Sequence, residues 1–195
     1  MRIGKLIATG VAALCALAGT GSTEAAIIYV GDDRGNVGRF DTETDTGTAL
    51  GRLPAGLPVA YLAGGLAYDP ATDSVLIMDP VRQNVYAMDA ATGAASTLFA
   101  TTNVRLLGGA VLDGTLYGIN DFNHSAAAYS LDGVAQGLSG GPLGGAPVAV
   151  GVDPSAGQLY MGHRLGDIYR LNDDGTLGGL AVDVLGQFPV FDLDY

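Results

Sequence analysis

Short stretches in which apolar and polar residues alternate recur along most of the chain. Alternation with a period of two is typical of a β-strand that buries one face. Four of these stretches end in aspartate; they read GLAYD, GAVLD, AVGVD and VFDLD and end at positions 69, 113, 153 and 194. The near-constant spacing predicts that one structural unit of about 40 residues is used four times.

Three further series of strand-like segments accompany the first at the same spacing. One series begins at positions 28, 76, 116 and 159, another ends at 41, 89, 132 and 172, and a weaker one reads TALGRL, ASTLFA, VAQGLS and GGLAVDV. Turn signals such as Asp113-Gly114 separate them, because Asx side chains bond the following backbone and glycine adopts positive φ. We name the four strands of each unit A to D. Four short strands repeated at about this interval predict an all-β fold, a four-bladed β-propeller.

The two ends of the repeat pattern complement each other. The first unit begins at strand B, and the chain ends on a strand A, VFDLDY, at residues 190–195. An unpaired inner strand edge is unfavourable, because it leaves backbone donors and acceptors open to aggregation. We therefore expect the propeller to be closed by the C-terminal strand pairing with the N-terminal blade. The alternative is that the chain is a fragment of a larger propeller with five or more blades.

The N-terminal residues have the pattern of a secretory signal peptide. A short basic start precedes an apolar run at residues 6–19, and small residues flank a cleavage point after Ala25. The sequence thus predicts a signal peptide at 1–25, a single propeller domain at 26–195, and export to the periplasm, the extracellular space or the cell surface. Cleavage removes the chain's single cysteine, so the mature protein has no disulfide, no thiolate metal site and no membrane span.

Charge narrows the range of partners. The net charge is −11, and 31 of the 195 residues are glycine, whereas only 15% are charged. So acidic a chain repels nucleic acid and anionic membrane surfaces. The alternative explanation of the acidic charge is that it keeps an exported protein soluble. The many glycines indicate many tight turns.

Two segments resemble the blades of known propellers. QLYMGHRLGDIYRLN at 158–172 and GLAYDPATDSVLIMDPVRQNVYAMDAATG at 65–93 are similar to bacterial YVTN- and NHL-type propellers. The shared rhythm covers nearly all of the chain after the leader. The resemblance implies a propeller fold and a tendency to bind proteins or small ligands. It assigns no catalytic residue.

Candidate chemistry gathers in the loops between strands B and C. In this topology the B–C and D–A connections share one face, which we call the loop face, and the A–B and C–D turns share the other, the turn face. The B–C loops supply eight candidate ligand-binding residues: Asp32, Asp33, Asp79, Asn120, Asp121, His124, His163 and Arg164. Carboxylates and an imidazole from different blades suit a divalent cation such as Ca²⁺, and the candidate metal ligands are Asp33, Asp79, Asp121 and His163. The alternative is that all of them are solvated loop residues.

The turn face is acidic for a different reason. Its aspartates stand in turn motifs, so the sequence predicts structural roles for them. A G-x-S-x-G match at 137–141 has no strand–turn–helix context and indicates no nucleophile. We expect an exported, non-enzymatic propeller that binds a protein, a glycan or a small ligand through the loop face. A metal-dependent lyase or hydrolase, with His163 as base or metal ligand, is the alternative.

Overall fold

The fold is an all-β propeller of four blades. The computed structural model describes residues 13–15, 27–32, 35–53, 65–138, 140–144, 146–164 and 167–182, and these form sixteen strands in four antiparallel sheets. Within each sheet, strands that follow each other in the chain lie side by side. The predicted four-bladed β-propeller is confirmed. Among the described residues no helix is long and apolar enough to cross a membrane.

Each blade is a four-stranded meander. Blade 1 contains β1 (Ala13–Cys15), β2 (Ile27–Gly31), β3 (Asn36–Asp41) and β4 (Thr46–Arg52). Blade 2 contains β5 (Leu66–Asp69), β6 (Ser74–Asp79), β7 (Asn84–Asp89) and β8 (Ala95–Ala100). Blade 3 contains β9 (Leu106–Leu112), β10 (Thr115–Asn120), β11 (Ser125–Ser130) and β12 (Ala135–Gln136). Blade 4 contains β13 (Pro147–Asp153), β14 (Gln158–His163), β15 (Ile168–Leu171) and β16 (Leu177–Val182).

The inner strand of blade 1 is β1, which lies near the N-terminus of the chain. β1 pairs antiparallel with β2, with Ala13 opposite Gly31 and Cys15 opposite Tyr29. This strand lies inside the segment that the sequence predicts to be a signal peptide. Residues 190–195, which we expect to close the ring, lie outside the described residues, and their pairing with blade 1 stays a prediction.

Hydrophobic clusters fill the spaces between successive blades. Tyr29 and Val37 of blade 1 pack with Ile77 of blade 2, and equivalent clusters join blade 2 to blade 3 and blade 3 to blade 4. Successive side chains of a strand point to opposite faces, so a central blade contacts both of its neighbours. This explains why β6 reads SVLIMD, a nearly continuous apolar run, instead of alternating. Burial of each such side chain contributes roughly 1.5–3 kcal/mol to folding.

The inner strands approach one another backbone to backbone. A Cβ atom on Gly108 would lie 2.5 Å from the Cα of Ala149, and one on Gly65 would lie 2.8 Å from the Cα of Gly108. Both glycines also have positive φ, +49° and +100°. Only glycine fits where a positive φ and a backbone contact coincide. These two positions therefore set the distance between blades 2, 3 and 4 near the axis.

The turn face is a set of Asx turns. At Asp89, one carboxylate oxygen accepts the Thr92 hydroxyl at 2.8 Å and the N–H groups of Ala91 and Thr92 at 3.1 and 2.6 Å. Hydrogen bonds of this kind hold five aspartate pKa values below the ordinary range, those of Asp41, Asp89, Asp132, Asp153 and Asp174. The predicted structural role of these five carboxylates agrees with their hydrogen bonds.

A tyrosine pair links blades 1 and 2 on the same face. The rings of Tyr29 and Tyr68 stack with centroids 5.2 Å apart, and the Tyr68 hydroxyl donates to Asp73 at 2.8 Å. Burial, reinforced by this hydrogen bond, raises the pKa of Tyr68. The Tyr68 hydroxyl therefore stays protonated and keeps donating to Asp73 at any ordinary pH.

Substituting Gly108 tests the close approach of the inner strands. Gly108→Ala should lower the free energy of unfolding by about 3 kcal/mol, because positive-φ strain adds to an overpacked backbone contact. Gly157→Ala is the matched control, since Gly157 has φ +61° and open space around it. It should cost only about 1 kcal/mol. Urea unfolding of both variants decides, and equal losses would contradict this account of the packing.

The lowered aspartate pKa values predict acid sensitivity. The pKa of aspartate in the unfolded chain is about 3.9, so these groups stabilise the folded protein above that pH. The stabilisation is lost as pH falls through the lower, folded-state pKa values. We expect the urea midpoint to decrease steadily from about pH 5 to about pH 2. Asp89→Asn, which keeps an acceptor oxygen but does not titrate, should make the decrease shallower; an unchanged pH profile would count against this role.

Candidate functional site

The B–C loops begin with Asx turns that engage most of the candidate side-chain oxygens. Asp79 Oδ1 accepts the N–H groups of Val81 and Arg82 at 3.0 Å each, and its Oδ2 forms a 2.9 Å ion pair with Arg82. Asn120 Oδ1 accepts the N–H of Phe122 at 3.1 Å. These oxygens therefore accept hydrogen bonds from the backbone of their own loops and hold the loops in shape.

Asp32 has the same role in blade 1. Its two oxygens accept the backbone N–H and the side-chain amide of Asn36 at 2.9 and 2.7 Å. Asp33, the neighbouring candidate, lies outside the described residues. The loop of blade 1 is thus held by the side chain of its first polar residue, as in blades 2 and 3.

The two histidines lie on either side of one D–A connection. His124 in blade 3 accepts the Leu143 N–H on its carbonyl at 2.7 Å. His163 in blade 4 accepts the Ala146 N–H on Nε2 at 2.7 Å. The connection between β12 and β13 is therefore anchored to both loops, as the prediction of a shared face requires.

The ring of His163 has a defined tautomer. Because Nε2 accepts a hydrogen bond, the neutral ring carries its proton on Nδ1. Nδ1 is buried and has no hydrogen-bond partner within the described part of the chain. The adjacent Arg164 is exposed, and its backbone N–H donates to the Ala146 carbonyl at 2.9 Å. The imidazole of His163 thus holds the backbone of the D–A connection in place through Nε2.

Blades 2 and 3 each expose an apolar side chain in the B–C loop that the sequence pattern did not single out. Val81 and Phe122 are 51% and 55% exposed, and each lies in a B–C loop. The Arg105 guanidinium lies over the Phe122 ring, 4.7 Å from its centroid, and 3.9 Å from the Asp121 carboxylate. We call Val81, Arg105 and Phe122 the loop-face ridge.

Hydrogen bonds of a D–A connection join the two halves of this ridge. Gln83 accepts the N–H of Thr101 on its carbonyl at 2.7 Å and that of Asn103 on its side chain at 2.8 Å. At the other end, Arg105 accepts the N–H of Asp121 on its carbonyl at 2.8 Å. The segment 101–105 thus bridges the loop of blade 2 and the loop of blade 3. In the sequence, the only sign of the ridge is one apolar residue within each of two polar B–C loops, Val81 in blade 2 and Phe122 in blade 3.

The candidate metal ligands stay a prediction. Among the described residues, no three His, Cys, Asp or Glu side chains form a group that could hold a metal ion. Three of the four candidates, Asp79, Asp121 and His163, are among the described residues, whereas Asp33 is not. A divalent ion at this face would need Asp33 or a rearrangement of the Asx turns.

Comparison with known proteins supports the fold. No protein-family model and no curated protein matches the chain. A solved nidogen/laminin complex matches with a TM-score of 0.61 at 18% identity, over 81% of this chain and 62% of that one. Virginiamycin B lyase from Staphylococcus aureus matches with a TM-score of 0.59 at 11% identity, over 83% of this chain and 54% of that one.

A further structure comes from Bacteroides thetaiotaomicron. This protein of unknown function matches with a TM-score of 0.62 at 15% identity, over 90% of this chain and 52% of that one. The chain spans less than two thirds of the length of each of these three structures. At such low identity the likeness shows the fold alone, and it agrees with the resemblance to propellers seen in the repeat.

Proposed function

We propose that the chain is an exported, non-enzymatic β-propeller of the YVTN/NHL type that binds a protein through its loop face. The observation that carries the proposal is the loop-face ridge, where two apolar side chains and an arginine stand exposed on adjacent blades. Aromatic residues and arginine dominate the binding energy of protein interfaces. Glycans and small ligands are the other classes that this face suits.

The distribution of charge favours the same face. Along the A–B and C–D turns the charged residues are all acidic: Asp41, Glu43, Asp45, Asp69, Asp73, Asp89, Asp113, Asp132, Asp153, Asp173 and Asp174. The loop face combines both signs, with carboxylates beside Arg82, Arg105 and Arg164. A partner approaching the loop face therefore meets little net repulsion, whereas the turn face repels any acidic partner.

The N-terminal leader supports export. Its basic start and short apolar run fit a secretory signal better than a membrane anchor. Among the structural neighbours, one is nidogen in a complex with laminin and another is a lyase. The alternative function for this chain is a metal-dependent lyase or hydrolase, which would use a divalent ion and His163 on the same face.

Truncation of the exposed aromatic residue tests binding through the ridge. Phe122→Ala should weaken capture of a partner from the exported fraction of the native cell at least about tenfold, since it removes a central aromatic contact. Val134→Ala is the matched control, because Val134 is 57% exposed but lies in a C–D turn on the turn face. Quantitative mass spectrometry measures how much of each protein the wild type and the two variants capture. A partner that Phe122→Ala retains, or that both variants lose equally, would contradict the proposal.

Titration with divalent ions tests the alternative. If Asp33, Asp79, Asp121 and His163 hold an ion, Ca²⁺ or Mn²⁺ at about 100 times Kd should stabilise the fold by about 2.7 kcal/mol. The rise in Tm should then disappear in Asp121→Ala and in His163→Ala. An unchanged Tm with both ions would rule out the metal site and the enzyme that depends on it.

A further inference from the structure

The guanidinium of Arg105 is held over the Phe122 ring while its hydrogen-bond donors stay open. A guanidinium carries five N–H donors in a rigid, planar fork. Among the described residues, none accepts a hydrogen bond from this fork, and the Asp121 carboxylate lies 3.9 Å away, beyond hydrogen-bond distance. The fork is therefore available to an acceptor on another molecule.

Arg82, in the B–C loop of blade 2, is engaged differently. Its Nη1 donates to Asp79 Oδ2 at 2.9 Å, and the two side chains are only 24% and 8% exposed. The side chains of Arg105 and Asp121 are 47% and 41% exposed, and their ion pair is longer. Exposed ion pairs of this kind stabilise a protein little. A carboxylate that accepts hydrogen bonds from the Arg105 fork can therefore compete with Asp121.

Hydrogen bonds fix the backbone on both sides of the stacked pair. Before Arg105, the Val104 N–H donates to the Thr101 carbonyl at 2.7 Å, and the Thr101 hydroxyl donates to the Val104 carbonyl at 2.7 Å. Before Phe122, the Asp121 N–H donates to the Arg105 carbonyl at 2.8 Å. Groups that are already ordered lose less conformational entropy on binding. The stack of Arg105 on Phe122 is thus preorganised for contact with a partner.

The backbone of this B–C loop offers no second site for an anion. The N–H groups of residues 121–124 all donate within the chain, to the Arg105 carbonyl, to Asn120 Oδ1 and to the Asn120 carbonyl. Phosphates and chain-terminal carboxylates are typically held by several backbone N–H groups. A side-chain carboxylate needs only the fork of one arginine. The loop is therefore suited to an acidic side chain.

The overall acidity of the chain does not prevent this contact. The net charge is −11, and the A–B and C–D turns contribute much of it at the far end of the strands. A six-residue strand such as β10 is about 20 Å long. Salt screens exposed charges beyond about 8 Å at physiological ionic strength. Repulsion from the turn face is therefore weak at the ridge, and Asp121 is the carboxylate that competes locally.

We propose that the loop-face ridge binds an aspartate or glutamate side chain of its protein partner, with the Arg105 fork on the carboxylate. This inference rests on the proposed binding of a protein through the loop face. Fork and carboxylate match in geometry and form two parallel hydrogen bonds. Val81 and the Phe122 ring cover apolar groups that flank the carboxylate in the partner and exclude water from the pair.

Selection from a library of random twelve-residue peptides displayed on phage tests the inference on the full chain. Peptides that bind the wild type but not Phe122→Ala should carry an aspartate or glutamate next to an apolar residue. For the most enriched peptide, Arg105→Gln should raise Kd at least about tenfold, because two charge-assisted hydrogen bonds are lost. Arg105→Lys should not restore the affinity, since an ammonium lacks the fork. Fluorescence anisotropy of the labelled peptide measures each Kd, and Val134→Ala on the turn face should bind like the wild type.

Removal of the competing carboxylate gives a gain that general damage to the loop would not produce. Asp121→Asn should lower Kd for the acidic peptide about two- to fivefold, as expected for one exposed ion pair. The gain should be absent for the same peptide with its carboxylate replaced by an amide.

Two kinds of failure are distinguishable. Peptides that depend on Phe122 but carry no acidic residue, or that bind Arg105→Gln as tightly as the wild type, would overturn this inference and leave binding through the ridge intact. A selection that yields no peptide dependent on Phe122 would overturn both.

Discussion

The packing of one blade on the next is the constraint on which the rest of the structure depends. Near the axis it relies on Gly65 and Gly108, where a side chain would collide with the neighbouring inner strand. Because the backbones meet there, side chains such as Leu76 and Met78 reach the next blade and are buried. A wider spacing would open voids in all three clusters, and close-packed interiors tolerate voids poorly.

This packing also separates the two faces of the molecule. Every blade repeats the same meander, so connections of one kind gather on one face whatever their sequence. The short A–B and C–D turns form the acidic face, which Asx turns such as that of Asp89 hold in place. The longer D–A connections cross between blades and tie together loops that are far apart in sequence, as segment 101–105 does for Gln83 and Asp121. The ridge proposed for binding exists because of this bridging.

The sequence pointed to the B–C loops but could not assign the roles of their side chains. An aspartate that ends a strand looks the same whether it binds a ligand or its own turn, and Asp79 and Asn120 use their oxygens in turns. His163 reads as a possible base, yet its Nε2 accepts a hydrogen bond from Ala146. The partner is 17 residues away in the chain, so no local pattern reveals it.

By itself, the sequence determined fifteen of the sixteen described strands, their four-fold repetition, the turn chemistry and the propeller fold, because these follow from local periodicity and from the preferences of Asp and Gly in turns. It did not predict β1, which lies inside the expected signal peptide. One segment of its weaker fourth series, VAQGLS, contains the shortest described strand, β12, which covers only Ala135–Gln136. The tertiary structure decided which apolar residues stay exposed. Val81 and Phe122 are ordinary loop residues in the sequence, and only the arrangement of the blades and their connections sets their burial.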